Sequence, residues 1–411
     1  MTAVPAAAGT DAMVARLLAE LQDRRRYDIG FPGATDLTFP ALAKIVTGQL
    51  LNNVGDPWDE GHGHNHTKDI ERRVVDLVAD LLRAPAGRWG YVTTGASEGT
   101  LHALNAAWQD HPDVVVYASA AAHYSVTKAA RLLKLPLVQI RTDATGRMDV
   151  TDLAGELARR RDRPAMVVAT AGTTMSEAVD DVTAIREVCD DLAILRRRIH
   201  VDAALSGIPL ALLPEKARPG FDFTAGATSM VISGHKFLST LMPCGVLIHD
   251  RRPAGPAGRV VYTGSADTTI TGSRSGHTPL LLWWALTTLG RRGLHRRAQQ
   301  SRKLAAYTQQ QLTRIGWPHA RNPHAFTVTL AQPPAAVMRK WVLAGDGQTA
   351  HIVCMPGVTQ EQIDEFLDDL RASDLARPRL HVVPDLDAAV TPLRAPRPRA
   401  RRSRVARGEL R

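Results

Sequence analysis

Cysteine is scarce. Three thiols, Cys189, Cys244 and Cys354, stand far apart in 411 residues and in no metal-ligand spacing. Such a set neither staples a small secreted fold nor builds a zinc site, and it fits a reducing, cytoplasmic setting. Long apolar runs are missing too: none approaches the roughly 20 residues that span a bilayer, which argues against a transmembrane segment. The first 26 residues lack a basic leader; their one periodicity, Met13, Leu17, Leu18 and Leu21, predicts an amphipathic helix and not a secretory signal.

Acidic residues are outnumbered. Lys and Arg total 51 against 41 Asp and Glu, a formal net charge of +10. That sum suggests a nucleic-acid partner until its distribution is read. Residues 391–411 hold eight arginines and one acid, Glu409, so seven of the ten charges sit there and three fall on the other 390 residues. The Pro/Arg-rich stretch 376–411 has too few apolar residues to pack and reads as a disordered basic tail, capable of non-specific polyanion contacts only. The rest is near neutral and of ordinary globular composition. Its length calls for one large domain and a smaller satellite.

What is present is an alternating pattern. Residues 1–66 read as a helix and a Gly/Pro-punctuated arm around one helix-like run, 39–51. Residues 68–82 keep helical spacing through Ile70, Val74, Leu77, Val78 and Leu81. A short strand from Trp89 then enters a small-residue turn and a helix. Downstream, strands at 114–117, 137–140, 166–170, 199–202, 230–233 and 245–249 are separated by helices at 123–133, 150–160 and 180–192. Strands so separated imply parallel βαβ units, hence a large α/β domain over 67–290. A Pro/Gly/Thr/Ser-rich break covers 251–275, helices are predicted over 277–290 and 295–312, and 291–375 forms a small α+β domain.

Two of these strands end in charge. Arg198 to Gly207 delivers Asp202, and Met230 to Lys236 delivers Lys236. Open α/β sheets place their chemistry at such C-terminal strand ends. A carboxylate that can hold a pyridinium nitrogen and a lysine that can form a Schiff base are the pair pyridoxal phosphate requires. The turn Gly95-Ala96-Ser97 precedes a helix whose first amides are free to bind phosphate.

Five pieces fall at βα junctions: Thr-Gly-Ala-Ser-Glu-Gly (94–99), His-Tyr-Ser (123–125), Gly-Thr-Thr (172–174), His-Val-Asp-Ala-Ala (200–204) and Ser-Gly-His-Lys (233–236). Together they resemble the group II pyridoxal-phosphate amino-acid decarboxylases, and within them the histidine decarboxylase branch and its plant serine decarboxylase relatives. The segments 52–57, 242–245, 271–277 and 353–359 extend the likeness over about residues 27–372. The resemblance implies PLP fold type I (aspartate-aminotransferase-like), with a mostly parallel large-domain sheet, a smaller C-terminal α+β domain and a homodimer. It implies loss of carbon dioxide from an L-amino acid: histidine, giving histamine, or else serine or an aliphatic residue such as valine.

Residue by residue, the resemblance makes Lys236 the cofactor-bearing lysine and Asp202 the partner of the ring nitrogen. His123 stacks on one face of the ring and small Ala204 on the other. Gly95, Ala96, Ser97, Ser233 and His235 surround the phosphate, with Thr173 near it or the ring oxygen. Tyr262, inside the 251–275 break, is the candidate donor of the Cα proton, with a packing role as its alternative. Among the alternating histidines of 61–66, which no carboxylate or cysteine completes into a metal set, His66 is expected to line the substrate pocket with His123. Ser275 stands where the family often has Asn, so a contact there with a neighbouring subunit's cofactor is not carried over. The rival readings are transamination and a non-catalytic scaffold whose tail grips polyanions; Asp202, His123 and Lys236 together argue against the latter.

Overall fold

The computed structural model describes residues 7–254 and 258–373; the expected basic tail lies outside the described residues. Seven strands form the central sheet: β1 (Trp89–Thr93), β2 (Val115–Ser119), β3 (Leu137–Ile140), β4 (Ala165–Thr170), β5 (Arg197–Asp202), β6 (Ser229–Ser233) and β7 (Gly245–His249). Their order is β1-β7-β6-β5-β4-β2-β3. The pairs β3–β2, β2–β4, β4–β5 and β5–β6 are parallel, while β7 runs antiparallel to both β6 and β1. Only residues 234–244 join β6 to β7, fewer than the crossover a parallel pair needs, so β7 must return antiparallel. Every residue of β1, β2, β4, β6 and β7 is buried, as helices on both faces of a sheet require.

The helices follow local signals with some corrections. The helix α1 (Ala7–Arg25) forms, but Met13, Val14, Leu17, Leu18 and Leu21 are each more than half exposed. The run 39–51 is shorter than expected: a 3₁₀ turn at Pro40–Leu42 leads into α2 (Ala43–Gly48), and Asn52 bridges Ser275. In α3 (Lys68–Leu81) the buried face is Glu71, Val74, Val75 and Val78, and Leu77 turns outward. This face includes a buried ion pair between Glu71 and Arg274 and so is not purely apolar. The helices α4 (Ala96–Asp110), α5 (Tyr124–Leu132), α6 (Val150–Ala158) and α7 (Val182–Asp191) carry the crossovers. Asp149 and Asp181 cap α6 and α7 by accepting first-turn amides, which fixes both starts.

After the short α8 (Gly207–Ala211), the two helices expected over 277–312 run as α9 (His277–Arg314), broken internally where Gly290 adopts φ 57° and ψ 178°. Glycine takes that positive φ without a Cβ clash. A four-stranded antiparallel sheet, 319–320, 327–331, 344–345 and 349–353, follows, with the helix Gln360–Ala372 capped by a reciprocal Thr359/Gln362 box. One apolar core runs through both sheets: Val246 and Ile232 belong to the same buried cluster as Val328, Ile352 and Phe366.

Candidate active site

Register brings two turns together. Thr93 of β1, Gly245 of β7 and Ser233 of β6 stand side by side across the sheet. The turn Gly95–Ser97 therefore lies beside the turn Gly234–Lys236, with Gly245 between them. A Cβ at Gly245 would come 2.7 Å from Thr93 Oγ1, 2.9 Å from the Ile232 carbonyl oxygen and 3.0 Å from Gly95 C. Only glycine allows this approach. The sequence reading treated Gly245 as part of a motif and missed this role.

The start of α4 is held open. Glu98, buried, accepts hydrogen bonds from Thr94 N (2.8 Å), Thr94 Oγ1 (2.7 Å) and Tyr91 Oη (2.9 Å). Thr93 Oγ1 donates to the Gly95 carbonyl at 2.8 Å. The amides of Ala96 and Ser97 and the hydroxyl of Ser233 have no protein partner among the described residues, and a Cβ on Gly95 would meet no atom within 4 Å. Unpaired first-turn amides facing open space form an anion seat, reinforced by the positive end of the helix dipole. On the neighbouring turn, His235 Nδ1 lies 3.2 Å from both the carbonyl and the amide of Cys244, which fixes its ring.

The charged residues converge at the ends of β5 and β6, which pair in register with Asp202 opposite Val231. Asp202 is buried; its Oδ1 accepts from Ala204 N at 3.1 Å, and its backbone carbonyl accepts from Ala171 N at 2.8 Å. No donor reaches its second carboxylate oxygen among the described residues. Ala204, also buried, accepts from Ser233 N at 3.2 Å, joining the two strand ends. Burial pulls the Lys236 ammonium below the ordinary lysine range, and the Asp202 charge opposes it. A lysine so displaced has a larger fraction of neutral, nucleophilic amine.

His123 caps α5: its Nδ1 lies 2.8 Å from Ser125 Oγ and accepts from Ser125 N at 3.3 Å. Partial burial lowers its pKa, the Asp202 charge raises it and Lys236 lowers it again. Three of the expected residues, His123, Asp202 and Lys236, thus share one electrostatic neighbourhood. Thr173 sits in the turn after β4, but its hydroxyl is committed locally, accepting from Ala178 N at 2.9 Å and lying 3.1 Å from Ser176 Oγ.

Two expected residues are not brought to this cluster. Tyr262 lies on the tip between the short strands Arg259–Val260 and Ser265–Ala266 and is 84% exposed. His66 lies before α3 with Nε2 3.7 Å from Glu60. No hydrogen bond or ion pair joins either to Lys236, Asp202 or His123 among the described residues.

One shaping element was overlooked. Arg274, buried, pairs with Glu71 and donates to the Gly55 carbonyl at 3.0 Å, while Glu71 also accepts from Val92 N at 2.8 Å and from Asn53 Nδ2 at 2.7 Å. This knot anchors the strand that leads to Gly95. A carboxylate at a core-facing position of α3, among Val74, Val75 and Val78, was the available signal.

The donor set fits pyridoxal 5′-phosphate. The α4 start offers amides to its phosphate, the unsatisfied Asp202 oxygen suits a protonated ring nitrogen, and a partly desolvated lysine amine suits its aldehyde. Residues 50–316 match the model of the pyridoxal-dependent decarboxylase conserved domain. A histidine decarboxylase of Mesorhizobium japonicum is 40% identical over 356 residues, covering 86% of this chain and 95% of its own length. Serine decarboxylase 3 of Oryza sativa subsp. japonica is 35% identical over 360 residues, 86% and 80% respectively. Among solved structures, L-methionine decarboxylase from Streptomyces sp.590 superposes with a TM-score of 0.82 at 25% identity, covering 90% of this chain and 97% of that one. This is the fold type I architecture. The chain belongs to the pyridoxal-dependent decarboxylases, carboxy-lyases that act on amino acids with pyridoxal 5′-phosphate as cofactor.

Proposed function

We propose that this decarboxylase converts L-histidine to histamine and carbon dioxide, with Lys236, Asp202 and His123 as its working residues. The observation that carries the reading is their convergence at the ends of β5 and β6 and the start of α5, beside an open anion seat. When bound, the cofactor supplies an electron sink for the pair left behind by the departing carboxylate.

Lys236 would hold the cofactor's aldehyde through its partly desolvated amine. Asp202 would hold the proton on the ring nitrogen through its unsatisfied oxygen. His123 and the small Ala204 would flank the cofactor's ring, and decarboxylation over proton loss would depend on how the site orients the substrate's carboxylate. Ala96, Ser97, Gly95, Ser233 and His235 hold the phosphate; Thr173, with its hydroxyl already shared, supports the turn beside the ring.

Tyr262 returns the proton to the substrate Cα, and His66 faces the substrate side chain. Because both stand apart from Lys236 within one chain, these roles require a site completed by a second copy. A homodimer is supported by the exposed apolar face of α1. A cytoplasmic setting is supported by three free, buried thiols. Among the described residues no helix is long and apolar enough to cross a membrane.

Serine is the second substrate reading, favoured by the rice serine decarboxylase at nearly the same coverage. Carbon dioxide release measured across the common amino acids separates them. Histidine is expected to give the highest kcat/KM; a clear preference for serine or valine overturns the histidine assignment.

A further inference from the structure

The turn that follows Lys236 is held by an ion-pair clamp that reaches it from two distant parts of the chain. Phe237 and Leu238, the two residues after the lysine, are fully buried. Ser239 closes the turn, donating its amide to the Lys236 carbonyl at 3.2 Å, and adopts φ 54°. A serine at positive φ is strained and persists only where its surroundings over-determine it.

Arg297 of α9 supplies that determination. It is nearly fully buried and uses each arm of its guanidinium. Nη1 donates to the Phe237 carbonyl, Nη2 to Ser239 Oγ at 2.6 Å and to Asp36 Oδ1, and Nε to Asp36 Oδ2 at 2.7 Å. Ser239 Oγ in turn donates to Asp36 Oδ1 at 2.9 Å, so three side chains close a ring of hydrogen bonds. The guanidinium also lies 5.1 Å over the Phe237 ring. The bidentate fork fixes direction as well as distance, which a lysine in its place would not do.

Asp36 belongs to the N-terminal arm. Its neighbour Thr35 donates its amide to the Pro356 carbonyl at 3.0 Å, and Gly357 leaves no room for a Cβ beside Thr35. The arm is therefore wedged between the small domain and the lysine turn, with Asp36 at the contact. The clamp reaches the lysine through the backbone, by the Phe237 carbonyl that Arg297 holds and the Lys236 carbonyl that Ser239 N holds.

We propose that Asp36, Ser239 and Arg297 are positioning residues that set the backbone from which the Lys236 side chain reaches the cofactor, and that they make this geometry depend on a docked N-terminal arm. The inference rests on the reading of Lys236 as the cofactor-bearing lysine. Attachment joins its nitrogen to the aldehyde carbon and releases water; release to the substrate exchanges one amine for another, with no oxidation.

The test uses the cofactor-loaded enzyme and the variants Asp36→Asn, Asp36→Glu, Arg297→Lys and the double variant Asp36→Asn/Arg297→Lys. For each, kcat and KM for histidine are measured, together with the pH midpoint of the bound cofactor's absorbance and the melting temperature. A small misplacement of a reacting group costs rate by one to two orders of magnitude, so Asp36→Asn and Arg297→Lys are expected to lower kcat about tenfold or more. KM is expected to change little and the absorbance midpoint to move. Asp36→Glu is expected to recover part of the loss, and the double variant to cost no more than the worse single one. If the Arg297 variants fail to fold, Asp36→Asn, whose side chain is one-third exposed, carries the test. Variants that melt earlier but keep the wild-type midpoint and kcat overturn the positioning role. If wild-type enzyme carries its cofactor elsewhere than on Lys236, the functional reading fails and the clamp falls with it. If Lys236 is loaded and Asp36→Asn titrates and turns over like wild type, the clamp alone falls.

Discussion

Asp202 ends β5 and Lys236 follows the end of the neighbouring parallel strand β6, and the Asp202 carboxylate is the charge that opposes the burial-driven loss of the Lys236 proton. The C-terminal ends of these interior strands bring an amine and a carboxylate together, and no ion pair joins the two among the described residues. If pyridoxal phosphate binds here, Lys236 would hold its aldehyde and Asp202 would keep its ring nitrogen protonated. From this arrangement several outcomes can be measured.

Asp202→Asn keeps the size of the side chain and removes its charge. The ring nitrogen then loses the partner that keeps it protonated, and carbanion development costs more. Removing one preorganised electrostatic contact typically costs 10²–10³ in rate, so single-turnover carbon dioxide release is expected to slow by roughly that factor. Cofactor absorbance is expected to persist, because the α4 start and Lys236 remain.

Tyr262→Phe tests the donor assignment. Cofactor absorbance is expected to remain, while amine formation falls and cofactor is lost by abortive transamination. Wild-type turnover with normal partitioning would remove Tyr262 from the mechanism.

Glu71→Gln breaks the buried pair with Arg274 and strands a guanidinium away from water. Losing one member of such a pair typically costs ~3–5 kcal/mol, to be read from denaturant midpoints. Because Glu71 also accepts from Val92 N, cofactor affinity is expected to weaken along with stability.

A layer of neutral histidines governs acid stability. Burial pushes His200 down to about 4, and it lowers His102 and His249 as well. His200 Nδ1 lies 2.9 Å from Ser229 Oγ, and His102 Nδ1 lies 3.1 Å from His249 Nε2. The unfolded chain takes up protons on these rings below about 6.5 while the folded chain does not. Stability is therefore full above that pH and is lost as pH falls from about 6.5 toward 4, by up to ~3 kcal/mol for His200. Melting temperatures from pH 7 to 5 are expected to fall, and less steeply in His200→Gln.

Much of this was legible before any coordinates. Strand ends carrying Asp202 and Lys236 stand out because a charge terminates an uninterrupted apolar run, and Leu137–Ile140 and Gly245–His249 appear with the bounds their apolar runs set. What escaped was tertiary. Glu71 stands among apolar neighbours and Arg297 looks like a solvated helix charge, but a sequence does not show that Arg274, 203 residues away, or an arm residue such as Asp36 meets them inside. The exposed position of Tyr262 was equally hidden, because a loop's composition gives its irregularity but not which site its tip reaches. The expected end of the first helix at Gly290 coincides with a break there, where the backbone takes φ 57° and ψ 178°.

The most direct measurement is borohydride reduction of the cofactor-loaded enzyme followed by peptide mapping. A single reduced pyridoxyl label on Lys236, abolished in Lys236→Ala, is the expected result. A label on a different lysine, or none on fully loaded protein, would contradict the assignment of Lys236 and every role built around it.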